Sequence, residues 1–409
     1  MIVHIDCNAF FASCEIATRE GVENRPVVVA NGNEAGGGVI LALNNRAKKI
    51  GLHRGHPLFQ VKDLLEKYKV AVFPADHVKY RQISAHIMQT VQQQGIVQDF
   101  LPYSVDEFFG SLPLDKPEEV RAYVAKVKQA IEENTKIPVS CGCSLTYTLA
   151  KVATYYAKHY AGYKGICVLT ADKLDKALSM LPVEEVWGIG RTYRKKMQAL
   201  QIVTAKDLVN KEESLVKKAL NTRGWQTWRE LKGEPSVKLA THEQQQSIMQ
   251  SRTFAYMIEN KEELKKHISD YASACCVRLR RQHSVCKTVT VFIATNRHRT
   301  DLPQYGNSAS VKLPVATSDT PTIVKAALQV FEQLYRPFYQ YKRAGVILND
   351  ITDDSSIQLD LFANQDIVKQ RKLMKIADTI NEKFGAETLH WAIQDSPKEP
   401  SKGDDSAKG

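Results

Sequence analysis

Leu101-Pro102-Tyr103-Ser104-Val105-Asp106-Glu107-Phe108-Phe109-Gly110-Ser111-Leu112-Pro113-Leu114 sets two adjacent carboxylates, Asp106 and Glu107, inside an otherwise apolar β-type run. Leu101, Tyr103, Val105, Phe108 and Phe109 favour a buried strand or hairpin. A carboxylate there must be paired, hydrogen-bonded or metal-bound to offset its desolvation. The partner the sequence offers is Asp6, which closes the apolar run Ile2-Val3-His4-Ile5 and precedes Asn8, a good helix N-cap before Ala9-Phe10-Phe11-Ala12. If Asp6 holds a divalent cation, the free amides of residues 7–11 lie one turn away, placed to cradle the phosphates of a nucleotide on that cation. Phe10 and Phe11 would face its sugar or base. The competing reading makes both rings core aromatics, and it is favoured for Phe10.

Composition widens the picture. The 409 residues suffice for two to four domains, and the 56 Lys and Arg exceed the 45 Asp and Glu by 11. Such a surface attracts a polyanion, most commonly nucleic acid, unless its charge is of no consequence. The eight cysteines form no Cys-x-x-Cys pair and no zinc-spaced array, so they read as reduced core thiols. No basic n-region with an apolar h-region opens the chain, and no apolar segment approaches the ~20 residues of a membrane span. A cytoplasmic protein is expected.

Along the chain, residues 31–68 read as a small basic insertion. It holds Gly36-Gly37-Gly38, which lacks the following helix of a phosphate loop, and Lys48. A short strand at residues 70–74 and a helix at 78–94 precede the carboxylate stretch. Residues 117–134 are helical, 137–144 form a strand, and a helix at 146–160 puts Lys151, Tyr155 and Lys158 on one face. Such a face suits a triphosphate, although solvated lysines commonly show that spacing. Trp187-Gly188-Ile189-Gly190 followed by Arg191, Arg194, Lys195 and Lys196 resembles a helix-hairpin-helix, whose glycines let backbone amides approach a phosphate. After a glutamine-rich tether, a strand-helix-strand-strand-helix-strand order predicts a βαββαβ domain. Its cations, including Arg278, Arg280, Arg281 and Lys312, read as a second grip on DNA. Gln358-Leu359-Asp360-Leu361-Phe362 is a docking peptide or a piece of strand, a helix follows at 368–384, and the Lys/Asp/Ser/Gly-rich end from residue 396 is expected to be disordered.

With these motifs assembled, the chain resembles the Y-family translesion DNA polymerases, most closely their UmuC-type branch. Asp6-Cys7-Asn8-Ala9-Phe10-Phe11-Ala12-Ser13-Cys14-Glu15 is similar to the first catalytic motif and Tyr103-Ser104-Val105-Asp106-Glu107-Phe108 to the second. The resemblance implies an α+β, multidomain polymerase of the right-hand architecture. A ferredoxin-like palm would span residues 1–25 and 69–168, fingers 26–68, a helix-hairpin-helix thumb 169–236, a tether 237–246, a βαββαβ little finger 247–350 and a C-terminal tail 351–409. It implies that Asp6, Asp106 and Glu107, with the Cys7 carbonyl, hold two Mg²⁺ ions. Asn8, Ala9, Phe10, Phe11, Lys48 and Lys158 would bind the nucleotide, with Phe11 as the steric gate against a ribose 2′-hydroxyl. Gly188, Gly190, Arg191, Arg194, Lys195, Arg278, Arg280, Arg281 and Lys312 would contact DNA. The implied partners are primer–template DNA, dNTPs, a sliding clamp docked by Gln358, Leu359, Asp360, Leu361 and Phe362, a UmuD-type accessory protein and a RecA-type filament. Asn45 falls where many relatives place a phosphate-binding tyrosine, and Lys48 where they place arginine. Alternation along a strand would send Asp106 and Glu107 to opposite faces unless the backbone bends. Two competing functions are a non-catalytic, clamp-tethered scaffold and a nucleotide cyclase on a similar palm. The intact carboxylates argue against the first, and the helix-hairpin-helix with the basic C-terminal domain against the second.

Overall fold

A computed structural model describes residues 1–32, 38–95, 97–239, 244–356, 366–385 and 388–390. The chain divides into two compact units, Met1–Thr241 and His242–Gly409.

The first unit begins with β1 (Ile2–Cys7) and α1 (Phe10–Ala17), followed by β2 (Val27–Asn31), β3 (Val39–Leu43), α2 (Asn45–Lys49), α3 (Lys62–Lys67) and β4 (Ala71–Pro74). Strands β3-β2-β4 make a small sheet of their own. Its parallel β2–β4 pairing runs from Val27 opposite Ala71 to Ala30 opposite Pro74. The strand expected to return to the palm after residue 69 therefore stays with the insertion, because Val27, Val28, Val29 and Ala30 are fully buried and need ladder partners on both edges.

Next come α4 (His77–Gln93), β5 (Gln98–Pro102), β6 (Glu107–Ser111), α5 (Pro117–Thr135), β7 (Val139–Ser144), α6 (Tyr147–His159) and β8 (Ile166–Val168). They complete a five-stranded sheet of order β5-β6-β1-β7-β8 with β1 at its centre. One face is sealed by α4 and α5, whose buried Tyr80, Ile87, Val91, Val120, Val124, Val127 and Ile131 meet Val3, Ile5, Cys7 and Phe108. The α5 residues fall at helical spacing, which is why that charged segment folds as an amphipathic helix. The helical remainder is α7 (Ala171–Met180), α8 (Arg191–Ala199), α9 (Ala205–Val209), α10 (Glu213–Ala219) and α11 (Thr222–Leu231). Buried Glu230 of α11 accepts the Thr148 amide at 2.8 Å and its hydroxyl at 2.7 Å, which anchors the helical part to the start of α6.

The second unit contains β9 (Ile248–Ile258), α12 (Lys261–Arg281), β10 (Ser284–Thr295), β11 (Gly306–Thr317), α13 (Thr320–Leu334) and β12 (Tyr341–Asp353), the expected βαββαβ order. Its antiparallel sheet runs β11-β10-β12-β9. A final helix, α14 (Asp366–Phe384), belongs to what the sequence marked as tail. All eight cysteines are free and buried. Among the described residues no helix is long and apolar enough to cross a membrane. Gly36, Gly37, tether residues 240–243, the peptide Gln358-Leu359-Asp360-Leu361-Phe362 and the end from residue 396 lie outside the described residues.

Candidate active site

The antiparallel register of β1 against β6 sets Asp6 directly opposite Glu107. Directly opposed residues share a sheet face, so these two acids, 101 positions apart in the sequence, meet on one side of the sheet. Asp106 is freed from strand alternation because it lies in the turn before β6. The Ser104 hydroxyl accepts the Asp106 amide at 3.2 Å and the Glu107 amide at 3.1 Å, and donates to Asp106 Oδ1 at 2.6 Å. The Cys7 amide donates to the Asp106 carbonyl at 2.9 Å, which fastens the turn to the end of β1.

Helix α6 covers this face at close range, since a Cβ on Gly142 of β7 would stand 2.2 Å from the Thr154 nitrogen and 2.3 Å from the Ala150 oxygen. That approach delivers two lysines to the acids. Lys151 Nζ donates to Glu107 Oε1 at 2.7 Å, and Lys158 is ion-paired with Asp6. Between them lies His4, 1% exposed, with Nδ1 2.8 Å from Thr154 Oγ1 and Nε2 3.6 Å from Glu107 Oε1. Burial, with Lys151 and Lys158 adding to it, holds the imidazole well below its ordinary value, so it stays neutral.

Burial pushes the Asp6 carboxyl up, against the pull of Lys158, and the charges of Glu107 and Asp106 add to the rise. A hard divalent cation suits such mutually repelling carboxylate oxygens. The Cys7 thiol, pushed far up by burial, is no thiolate donor, which leaves only the backbone carbonyl that the sequence named. Among the described residues no group of three or more His, Cys, Asp or Glu side chains is already drawn together around a metal position. Instead, the ammonium groups of Lys151 and Lys158 supply the counter-charge.

Asn8 does not cap α1. Its side-chain oxygen accepts from Ser140 Oγ at 3.0 Å, and Ala9 takes the N-cap position in the left-handed region, φ 47°. The Phe10 ring belongs to the core, the residue being 3% exposed, so only its backbone amide at the start of α1 is left to face a nucleotide. Phe11 is half-buried and stacks on Tyr80, ring centres 4.4 Å apart and planes 16° from parallel. Tyr80 is held in turn by Glu15, whose carboxylate also meets Lys79 and Arg19. Lys48 is exposed on α2.

Of the expected DNA contacts, Gly188 has φ 87° in the turn before α8, and Gly190 is the N-cap of that helix. Arg194 pairs with Glu184 at 2.7 Å, Lys195 is exposed, and the side chain of Arg191 lies outside the described residues. Arg280 requires correction. Its guanidinium makes a two-pronged pair with Asp378 of α14 at 2.6 and 2.7 Å and also reaches the Ser318 carbonyl, so it docks a helix. Arg278 bonds the Met249 carbonyl at 2.9 Å, Arg281 stands 3.6 Å from Glu382, and Lys312 is exposed on β11. Sequence reasoning missed Ser104, His4, Thr154 and Gly142. Only the Ser-x-Asp spacing of the turn carried a local signal.

Comparison with known proteins places this architecture. The fold is that of the Y-family DNA polymerases. A Y-family chimera of Dbh and Dpo4 aligns with TM-score 0.66 and 20% identity, covering 86% of this chain and 99% of that one, and Dbh polymerase in an insertion ternary complex aligns with TM-score 0.53 and 19% identity over the same shares. The chain belongs to the impB/mucB/samB family: residues 5–155 match the family itself and residues 245–361 its C-terminal domain. Protein UmuC of Salmonella typhimurium (strain LT2) is 33% identical over 399 residues, 96% of this chain and 93% of that protein. Protein MucB of Escherichia coli is 32% identical over 398 residues, with the same shares covered. DNA polymerase IV 2 of Halalkalibacterium halodurans is 28% identical over 406 residues, 96% of this chain and 94% of that protein.

Proposed function

We infer that the chain is a low-fidelity, DNA-directed DNA polymerase that inserts deoxynucleotides opposite or past damaged template bases. Family membership and fold support the reaction class. The observation that carries the site is the pairing of Asp6 with Glu107 beside the Asp106 turn.

Asp6, Asp106 and Glu107, with the Cys7 carbonyl, would hold a pair of Mg²⁺ ions. Bound there, the metals supply activation of the primer 3′-hydroxyl and neutralisation of the departing pyrophosphate. The chain's own residues do the remainder. Lys158, already at Asp6, brings a positive charge to the place where phosphate charge would collect, and Lys48 is a second such cation from the small sheet's body. The first amides of α1 point out of a helix N-terminus and suit phosphate oxygens. Phe11, packed on Tyr80, would block a ribose 2′-hydroxyl. The Gly188 turn with Lys195 would grip the DNA backbone, as would the β11 strand with Ser308, Ser310 and Lys312. Residues 358–362 would dock a sliding clamp, a role checked by clamp affinity after removal of Leu361 and Phe362. A UmuD-type protein and a RecA-type filament are further partners of this reading.

The test is primer extension in Mg²⁺ by the full-length protein opposite undamaged and abasic template positions, beside Asp106→Ala. Extension by the native protein on both templates and its loss in Asp106→Ala are expected. DNA binding without any extension, with or without candidate accessory proteins, would overturn the reading.

A further inference from the structure

The ammonium of Lys151 does more than meet Glu107. It stands 5.0 Å from the ring centre of Tyr103, 5.4 Å from that of Trp187 and 5.9 Å from that of Phe109. Three aromatic faces around one lysine form a cage, each face attracting the cation through its ring electrons. The walls are themselves tied together. Trp187 Nε1 donates to the Tyr103 hydroxyl at 3.2 Å, and the two rings meet edge to face at 5.5 Å. Phe109 packs against both.

The walls come from different elements. Tyr103 lies in the turn that carries Asp106, and Phe109 lies on β6 two residues beyond Glu107. Trp187 immediately precedes Gly188 of the turn leading into α8. The Lys151 side chain is 17% exposed and that of Glu107 22%, so the pair is held mostly out of water, where a fixed charge orients its partner strongly.

We propose that Lys151 is a positioning residue: it fixes the Glu107 carboxylate for metal binding and, because Trp187 walls its cage, makes that hold depend on the seating of the turn before α8. The idea rests on the metal-holding role proposed for Glu107. It adds a physical link by which the segment expected to grip DNA steadies one of the acids. Removal of Lys151 leaves Glu107 free to swing, and removal of Trp187 loosens the same contact from the other side.

The experiment is a Mn²⁺ titration followed by the EPR signal of the free ion, on full-length protein with dideoxy-terminated primer–template and dNTP, so no turnover is needed. Lys151→Met is expected to weaken Mn²⁺ binding about 10- to 100-fold, the usual loss when an outer partner of a metal ligand is removed. Trp187→Leu shifts it several-fold in the same direction. The double variant binds no more weakly than Lys151→Met alone, because both act through one contact, and Lys151→Arg returns most of the affinity. Primer–template affinity in EDTA stays the same for Lys151→Met. Unchanged Mn²⁺ affinity in Lys151→Met, or full additivity of the two losses, overturns the proposal. Should Lys151→Met fail to fold, Lys151→Gln takes its place in the same comparison. Failure of the native protein to extend primers in Mg²⁺ would instead count against the polymerase reading, so the two outcomes are separable.

Discussion

Phe11 owes its orientation to the Tyr80 ring beneath it, and Tyr80 owes its own to the buried Glu15 carboxylate, which receives its hydroxyl at 2.7 Å. Phe11→Ala removes the outermost ring of that stack. Ribonucleotide incorporation relative to deoxynucleotide is expected to rise on the order of tenfold or more, measured in single-nucleotide insertion assays, and unchanged sugar discrimination would remove the gate assignment. Glu15 carries a separate expectation. Burial works against its ionisation, but Lys79, Tyr80 and Arg19 outweigh burial and hold the carboxyl below its ordinary value. A depressed acid stabilises the fold above its unfolded value of roughly 4.3, and that contribution disappears as pH falls through the lower, folded value. The stability gap between native protein and Glu15→Gln, read by urea unfolding, should therefore be widest near neutrality and narrow below about pH 4.

Helix α6 is the element on which the site depends, and Gly142 is the reason it can lie so close to the sheet. Gly142→Ala would force the helix outward or strain the strand, at a cost of about 1–3 kcal/mol. The same displacement would draw Lys151 and Lys158 away from Glu107 and Asp6, so nucleotide insertion should fall while metal-free DNA affinity holds; intact insertion at lowered stability would deny the coupling. Much at this scale was legible in advance. The strand-acid-helix start at Asp6, the βαββαβ order and the common face of Lys151 and Lys158 all follow from periodicity that local sequence carries. The bend at Asp106 was posed as a condition, and it is met by the Ser104 hydroxyl. What escaped is non-local. Nothing near Gly142 says which helix will lean on it, nothing near Arg280 announces Asp378, and strand Ala71–Pro74 pairs with the small sheet through a parallel register that its own residues do not specify.

Across the whole molecule, the excess of 11 basic residues predicts salt-sensitive binding to DNA, but not every cation should contribute. Lys195 in the first unit and Lys312 in the second are exposed. Alanine at either is expected to reduce the slope of log affinity against log salt by about 1. Arg280→Ala should leave that slope alone and loosen α14, since its charge is spent on Asp378. Fluorescence anisotropy at a series of salt concentrations distinguishes the two classes, and equal slopes for Lys195→Ala, Lys312→Ala and the native protein would contradict the assignment. The buried thiols bear on the same scale. Cys7, Cys14, Cys141, Cys143 and Cys167 are shut inside one unit and Cys275, Cys276 and Cys286 inside the other, so an alkylating reagent can reach them only when the core around them breathes. The chain thus carries its own stopwatch for each half, and the pace of modification at the two groups would tell whether the halves loosen together or each on its own schedule.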